Sequence, residues 1–387
     1  MDSEVGLVFD SRTADPGQRG RGVHAFVMGV SRYRGRSRGD LRDIPGTAVS
    51  AAEFTAFLRE DFHDPTGVRL RTVRMLLSPV DEERPRLESA GVQATEATRA
   101  NVKAALRAWQ RDCDQNSENI GVLYLGGHGV TSTQGTRYVF LSEAHENPHN
   151  QYRFSVDIPA CVEGLKQSRL HSLIVVSDCC AERVNRVPVS PGVAVAVYRE
   201  DLNRDWFKTP ACDLVLMVNA ARTGTRGYAL GSGEGTLLAV NLLRMLRGEA
   251  GELFGPRPKD RDFRVTDRGL KAKLQSAILD YLSLKSFRID PDSLVIGEYL
   301  TTGITRPEPP PKFTVDFRPQ DAQQQVAVEV RSARSDAPCW DGVISGPTPV
   351  PLPAGSYRVL SKVGSLPAYP VQLDVSEPVE CVVGELP

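Results

Sequence analysis

The stretch VVSDCC, residues 175 to 180, climbs an apolar run and ends in an acid and two adjacent thiols. A second apolar run, VLYLGGHG, ends by delivering His128. Cysteine is a strong nucleophile only as the thiolate, and a histidine within hydrogen-bond reach can generate that thiolate and later hand the proton to a leaving group. Two strand ends that each carry one of these residues are therefore candidates for nucleophilic catalysis. Adjacent cysteines have Cα atoms about 3.8 Å apart, short of the roughly 4.4 to 6.8 Å that a disulfide spans, so Cys179 and Cys180 read as two free thiols. Successive side chains of a strand point to opposite faces. That alternation sends Asp178 and Cys180 to the same side, toward a cleft, and Cys179 to the other, into packing.

Positioning these strand ends is the task of the rest of the chain. Up to about residue 290, short apolar strands alternate with amphipathic helices, a pattern that predicts an α/β fold with a mostly parallel sheet flanked by helices. The strands are VHAFVMGV (23–30), RTVRMLL (71–77), IGVLYLG (120–126), HSLIVVSD (171–178) and DLVLMVNA (213–220). Ala51, Phe54 and Leu58 line one face of a helix, and Thr98 would cap another whose apolar stripe is Val102, Leu106 and Trp109. Residues 235–249 and 269–284 supply two more helices. In open parallel sheets, sites form at the carboxyl edge of the strands, where both His128 and the cysteine pair fall. Directly after the cysteines, residues 181–211 hold three prolines and several charges and read as a long loop.

At 387 residues the chain suits a large domain plus a smaller one. RPEPPPKF (306–313) reads as a semi-rigid spacer dividing a domain over 1–305 from one over 314–387. The latter consists of short alternating runs split by Pro, Gly and Ser, which predicts a small antiparallel, Ig-like β-sandwich serving recognition or packing.

The 47 basic and 48 acidic residues leave a net charge of -1, so no global field steers the chain toward nucleic acid or an anionic membrane. No stretch approaches the apolar length of a membrane span, and the first residues lack a signal pattern, so the expected location is cytoplasmic. Seven scattered cysteines without a CxxC pair or His-rich ligand spacing suggest neither a disulfide framework nor a metal site.

Together these residues resemble the caspase-like cysteine peptidases, and within them the metacaspase and prokaryotic caspase-homologue branch, over roughly residues 20 to 250. The resemblance is carried by HAFVMGVSRY, the helix after LRDIPG, YLGGHG, SDCCAE, and LVLMVNAARTGTRGYAL with GTLLAVNLLRML downstream. His128 precedes Cys180 by about 50 residues, as the histidine precedes the cysteine in caspases. The resemblance implies that Cys180 is the nucleophile, His128 the acid/base, and the backbone N–H groups of Gly129 and Cys180 the oxyanion donors, with the glycine letting substrate approach closely. It makes Asp178 the carboxylate of the S1 pocket and hence implies cleavage of protein substrates after Arg in preference to Lys.

Gly126-Gly127-His128-Gly129 stands where that branch often carries Ser-Gly-His-Gly, and TAVSAAE carries no second pocket acid; Asp40 or Asp43 in the preceding loop could substitute. No cofactor is expected, since the acidic cluster that binds calcium in some metacaspases is not visible after Cys180. The loop after the cysteines occupies the place of the family's intersubunit linker, which makes Arg183, Arg186, Arg199 and Arg204 candidate self-cleavage points. The same resemblance implies a zymogen kept latent until an upstream protease or regulator acts, in a stress, cell-death or antiviral pathway of prokaryotic defence. Two other readings stay open: a catalytically silent scaffold that binds partners, and redox or metal sensing through Cys179 and Cys180.

Overall fold

The computed structural model describes residues 4–12, 21–35, 41–132, 134–146, 151–183, 212, 214–221, 224, 227–231, 233–284, 295–296, 304–321, 324–363 and 369–383. Asp40, Arg186, Arg199 and Arg204 lie outside the described residues. The chain divides into two compact units.

The first unit comprises residues 1–62, 66–244 and 271–301. In chain order its elements are β1 (Leu7–Asp10), β2 (Gly22–Val30), α1 (Thr47–Glu60), β3 (Arg69–Ser78), α2 (Arg84–Ser89), α3 (Arg99–Cys113) and β4 (Asn119–Gly127). There follow β5 (Gly129–Thr131), β6 (Arg137–Phe140), β7 (Ser155–Asp157), α4 (Ile158–Lys166), β8 (Leu170–Cys179) and β9 (Glu182–Arg183). β10 (Leu214–Asn219), β11 (Ala229–Gly231), β12 (Gly235–Thr236) and α5 (Leu237–Arg244) come next, and residues 271–301 add most of the helix Asp267–Leu284 and the short strand Val295–Ile296.

Seven strands form the main sheet in the order β1, β3, β2, β4, β8, β10 and Val295–Ile296. The five inner strands run parallel, and only the two edges, β1 on β3 and Val295–Ile296 on β10, are antiparallel. The α/β expectation therefore holds, with antiparallel edges the apolar patterns did not reveal. Inner strands buried on both faces read as continuous apolar runs, which is why these five were visible in the sequence.

Alternation assigns the two faces. Leu123, Leu125, Leu173 and Val175 join Val102, Leu106 and Trp109 of α3 and Cys161 and Leu165 of α4 in one core. Tyr124, pointing the other way, stacks on Phe54 of α1 with ring centroids 4.9 Å apart. Each such fully buried large side chain contributes about 1.5–3 kcal/mol. The Thr98 hydroxyl accepts the Asn101 N–H at 3.3 Å, the expected cap of α3, and Trp109 Nε1 donates to the His24 carbonyl at 2.9 Å. The helix expected over 235–249 is α-helical only to Arg244 and continues as a π-helical turn, Met245–Glu249.

The second unit takes in residues 63–65, 245–270 and 302–387. The division thus differs from a single boundary at residue 305: the hairpin Gly251–Phe254 with Asp262–Val265 belongs with the C-terminal strands. Nor is 306–313 a free spacer. Arg306 donates its N–H to the His63 carbonyl at 2.7 Å, and the Pro311 carbonyl accepts the Ala354 N–H at 2.7 Å, so the proline run is hydrogen-bonded into this unit. Beyond it, a three-stranded sheet (Thr348–Pro353, Lys312–Pro319, Val379–Val383) and a four-stranded sheet (Pro338–Ile344, Val326–Ser332, Gly355–Val363, Tyr369–Val375) enclose one core that includes Val315, Phe317, Val328, Val359 and Cys381. This is the expected sandwich, except that Lys312–Pro319 and Val379–Val383 pair in parallel. Among the described residues no helix is long and apolar enough to cross a membrane.

Candidate active site

The parallel register of β4 on β8 sets the site. Gly126 pairs with Asp178 and Gly127 with Cys179, so the next residue on each strand is His128 on one and Cys180 on the other. Neighbouring strands lie about 4.8 Å apart, which brings the two reactive residues side by side at the carboxyl edge. Beyond the sheet the two chains stay together: β9, just after Cys180, pairs in parallel with β5, just after His128, within a small sheet of order β7, β6, β5, β9.

Cys180 is half-buried, and its Sγ accepts the Gly227 N–H at 3.2 Å. In the thiol form it faces the Gly227 carbonyl at 3.6 Å. The Gly227 peptide thus offers the sulfur a donor when it is a thiolate and an acceptor when it is a thiol. Cys179 turns the other way, 3% exposed in the α3–α4 core, where burial pushes its thiol up to about 12. Cys179 packs into the core and Cys180 turns away from it, as alternation predicts.

His128 is held by backbone. Its Nε2 lies 2.6 Å from the Arg42 carbonyl oxygen, which can only accept, so Nε2 carries the hydrogen and Nδ1 keeps the lone pair. Burial lowers the basicity of this imidazole, and the Arg42 carbonyl opposes that by stabilising the charged form. The His128 backbone N–H donates to the Tyr33 hydroxyl at 2.7 Å, and the Tyr33 ring stands 5.1 Å from the imidazole. The loop that supplies Arg42 is anchored by Glu83, wholly buried, which accepts from the Ser31 hydroxyl at 3.0 Å, the Gly46 N–H at 2.5 Å and the Val80 N–H at 2.9 Å.

Gly129 has a reason other than substrate approach. A Cβ there would stand 2.1 Å from the Cys180 carbonyl oxygen and 2.7 Å from Cys179 Sγ, so the chain's own crossing of the two strand ends fills the space. Gly46, which precedes α1 with φ of 104°, is likewise pressed against the carbonyl oxygens of Gly231 and Gly235, each 2.7 Å from its would-be Cβ.

Asp178 departs from the expected open cleft. It is 6% exposed, and its carboxylate accepts from the Tyr124 and Thr236 hydroxyls. Burial pushes its carboxyl up to about 6, while the two hydroxyls hold it lower than burial alone would. Alternation gave the correct face, but Tyr124 of β4 and Thr236 of β12 enclose the carboxylate there rather than leaving it open. Asp43 does not join it; its Oδ1 instead accepts the Tyr33 N–H at 2.9 Å. Arg183 is not in a loop either, since it lies in β9 opposite Thr131. Only about three residues separate it from Cys180, too short a reach to turn its own carbonyl back onto that sulfur.

Tyr33, Arg42, Gly227 and Thr236 were not among the expected site residues. All four act through a backbone group or a hydroxyl on another element and carry no spacing relative to the His and Cys motifs.

No protein-family model matches the chain, and no curated protein matches it. Among solved structures, the chain is similar to caspase-1 from Spodoptera frugiperda, at 10% identity over 73% of this chain and 92% of that one, with a TM-score of 0.38. It is also similar to a structure titled pro-sf-caspase-1, at 10% identity over 73% of this chain and 88% of that one, with a TM-score of 0.37.

Proposed function

We propose that the chain is a cysteine endopeptidase acting through Cys180 and His128. The observation that carries this reading is the β4–β8 register, which makes the two residues next neighbours at the sheet edge, one with an amide on its sulfur and the other with Nδ1 left basic. His128 Nδ1 takes the thiol proton as Cys180 Sγ bonds to the scissile carbonyl carbon. The tetrahedral oxyanion is met by the Gly129 and Cys180 N–H groups. Its collapse breaks the C–N bond, and the imidazolium returns the proton to the leaving amine nitrogen. Water, deprotonated by the same nitrogen, then cleaves the thioester and restores the thiol.

Cleavage after Arg in preference to Lys is part of the proposal. Asp178 supports it as an enclosed carboxylate on the Cys180 side of β8, held by hydroxyls rather than by a cation among its described contacts. A guanidinium entering beside it would supply that cation and return the carboxyl to its ionised form. The resemblance in YLGGHG and SDCCAE further supports a peptidase kept latent until an upstream protease or regulator acts, in a stress, cell-death or antiviral pathway.

The test is hydrolysis of fluorogenic peptides with Arg, Lys or Asp at P1 by wild type, Cys180→Ala and Asp178→Ala. Cleavage after Arg that vanishes with Cys180 and weakens with Asp178 is expected. Cleavage that survives Cys180→Ala would sink the proposal.

A further inference from the structure

Residues 41–44 run past the catalytic pair without entering it, yet each of the four is hydrogen-bonded to the ground around His128. The Leu41 carbonyl accepts from His145 Nε2 at 2.6 Å. The Arg42 carbonyl accepts from His128 Nε2, also at 2.6 Å. Asp43 Oδ1 accepts the Tyr33 N–H at 2.9 Å, and the Ile44 N–H donates to the Ser31 carbonyl at 2.8 Å. Two histidines therefore donate to consecutive carbonyls. The Tyr33 ring lies between them, 5.1 Å from His128 and 6.2 Å from His145, edge-on to the latter.

Consecutive peptide carbonyls of an extended chain point to alternate sides, so two neighbouring ones take donors from two imidazoles only if the segment is held in one set of dihedral angles. A lone carbonyl on a mobile loop would offer His128 an intermittent acceptor. Fastened on both sides, it offers a fixed one, and a fixed acceptor at Nε2 leaves the base at Nδ1 in every molecule.

Resting on the peptidase reading, we propose that residues 41–44 form a strap that locks the tautomer of His128, and that His145 and Asp43 are the positioning residues that hold the strap. His145 acts through the Leu41 carbonyl, one peptide away from the bond it protects. Asp43 acts through Tyr33, which in turn takes the His128 N–H on its hydroxyl. Asp43 is exposed and His145 half-buried, so truncating either leaves the packed core in place.

The experiment pairs a truncation with a rescue at each position. His145→Ala removes the donor, whereas His145→Gln keeps an amide nitrogen close to where Nε2 was. Asp43→Ala removes the acceptor, whereas Asp43→Asn keeps Oδ1. The tautomer of His128 is read from nitrogen-15 histidine spectra at about pH 8, where imidazoles are neutral, with His128→Gln used to assign its signals. We expect a single Nε2–H form in wild type, His145→Gln and Asp43→Asn, and a mixture of both tautomers in the two alanine variants. In peptide hydrolysis the alanine variants should lose about tenfold in kcat with KM within about twofold, as for an interaction that orders a catalytic group without touching substrate.

A folded alanine variant that keeps His128 wholly in the Nε2–H form, or a wild type that already shows both tautomers, overturns the strap. The spectrum answers whether or not peptides are cut. A locked tautomer without any Cys180-dependent cleavage, by the intact chain or by chain cut within residues 184–211, sinks the peptidase reading and leaves the strap standing.

Discussion

Adding one methyl group at Gly129 tests how tightly the two strand ends cross. The alanine Cβ would stand 2.1 Å from the Cys180 carbonyl oxygen and 2.7 Å from Cys179 Sγ. Ordinary contacts of this kind lie near 3.5 Å, so the backbones must part by more than about 1 Å. Both obstacles resist: the oxygen belongs to the main chain, and the sulfur sits in a packed core. Overpacking of this sort costs about 1–3 kcal/mol of stability. Moving a reacting group by about 1 Å is worth about 10²-fold in rate. Alanine keeps the N–H of residue 129, so any loss is steric rather than the loss of a backbone donor. We expect Gly129→Ala to lower kcat/KM about 100-fold, slow alkylation of Cys180 by iodoacetamide, and lower the Tm by several degrees. Gly233→Ala is the control, because nothing lies within 4 Å of its Cβ and its φ is ordinary; it should stay within about twofold in rate. A Gly129→Ala protein that matches the control in rate and Tm would refute the crossing as described.

Asp178, pushed up to about 6 against an ordinary 3.8, favours the folded state in its protonated form; that contribution is present at low pH and is lost as pH rises through about 6. Differential calorimetry across pH 4 to 7.5 should therefore show Asp178→Asn gaining on wild type as pH rises. In the same range KM for an Arg peptide should rise in wild type as pH falls through about 6, with no such limb in the Asn variant. Arg74, 2% exposed and bonded to Asp112 at 2.9 Å, should cost about 1–3 kcal/mol in urea unfolding when replaced by Met, since the buried carboxylate loses one of its two cations and keeps Arg12 at 2.6 Å. Limited alkylation near neutral pH, mapped by mass spectrometry, should mark Cys180 and spare Cys179, whose buried thiol is pushed up to about 12. Marking of Cys179 first would overturn the assignment of faces.

The inner strands were legible because burial on both faces leaves an unbroken apolar run; HSLIVVSD was displaced by only one residue at each end from Leu170–Cys179. The Thr98 cap and the face carrying Val102, Leu106 and Trp109 were legible for the same local reason. β5, β6 and β9 were not, because two to four residues are too few to establish a period. The strap escaped because a backbone carbonyl leaves no mark on residue type, so Arg42 and Leu41 look like any loop. Asp178 was placed on the correct face, but what covers that face is contributed by Thr236, 58 residues further on. The division into units escaped because Met245–Leu270 joins the C-terminal strands by packing rather than by composition.

The pairing of β9 with β5 has a consequence for what a break in the chain would do. A cut anywhere after Arg183 and before Leu214 would leave β8 and β9 on one piece and β10 on the other, with six consecutive β8–β10 register pairs, Leu214↔Ser172 to Asn219↔Ser177, spanning the two. The first piece would keep Cys180 tethered on both sides, by the main sheet before it and by β5 after it, so Cys180 could not recoil from His128. The second would carry Gly227 and reach the sulfur only by docking. The two fragments would behave as a split protein that must complement itself: the Cys–His pair survives scission within one piece, while the amide on sulfur returns only when the halves reassociate.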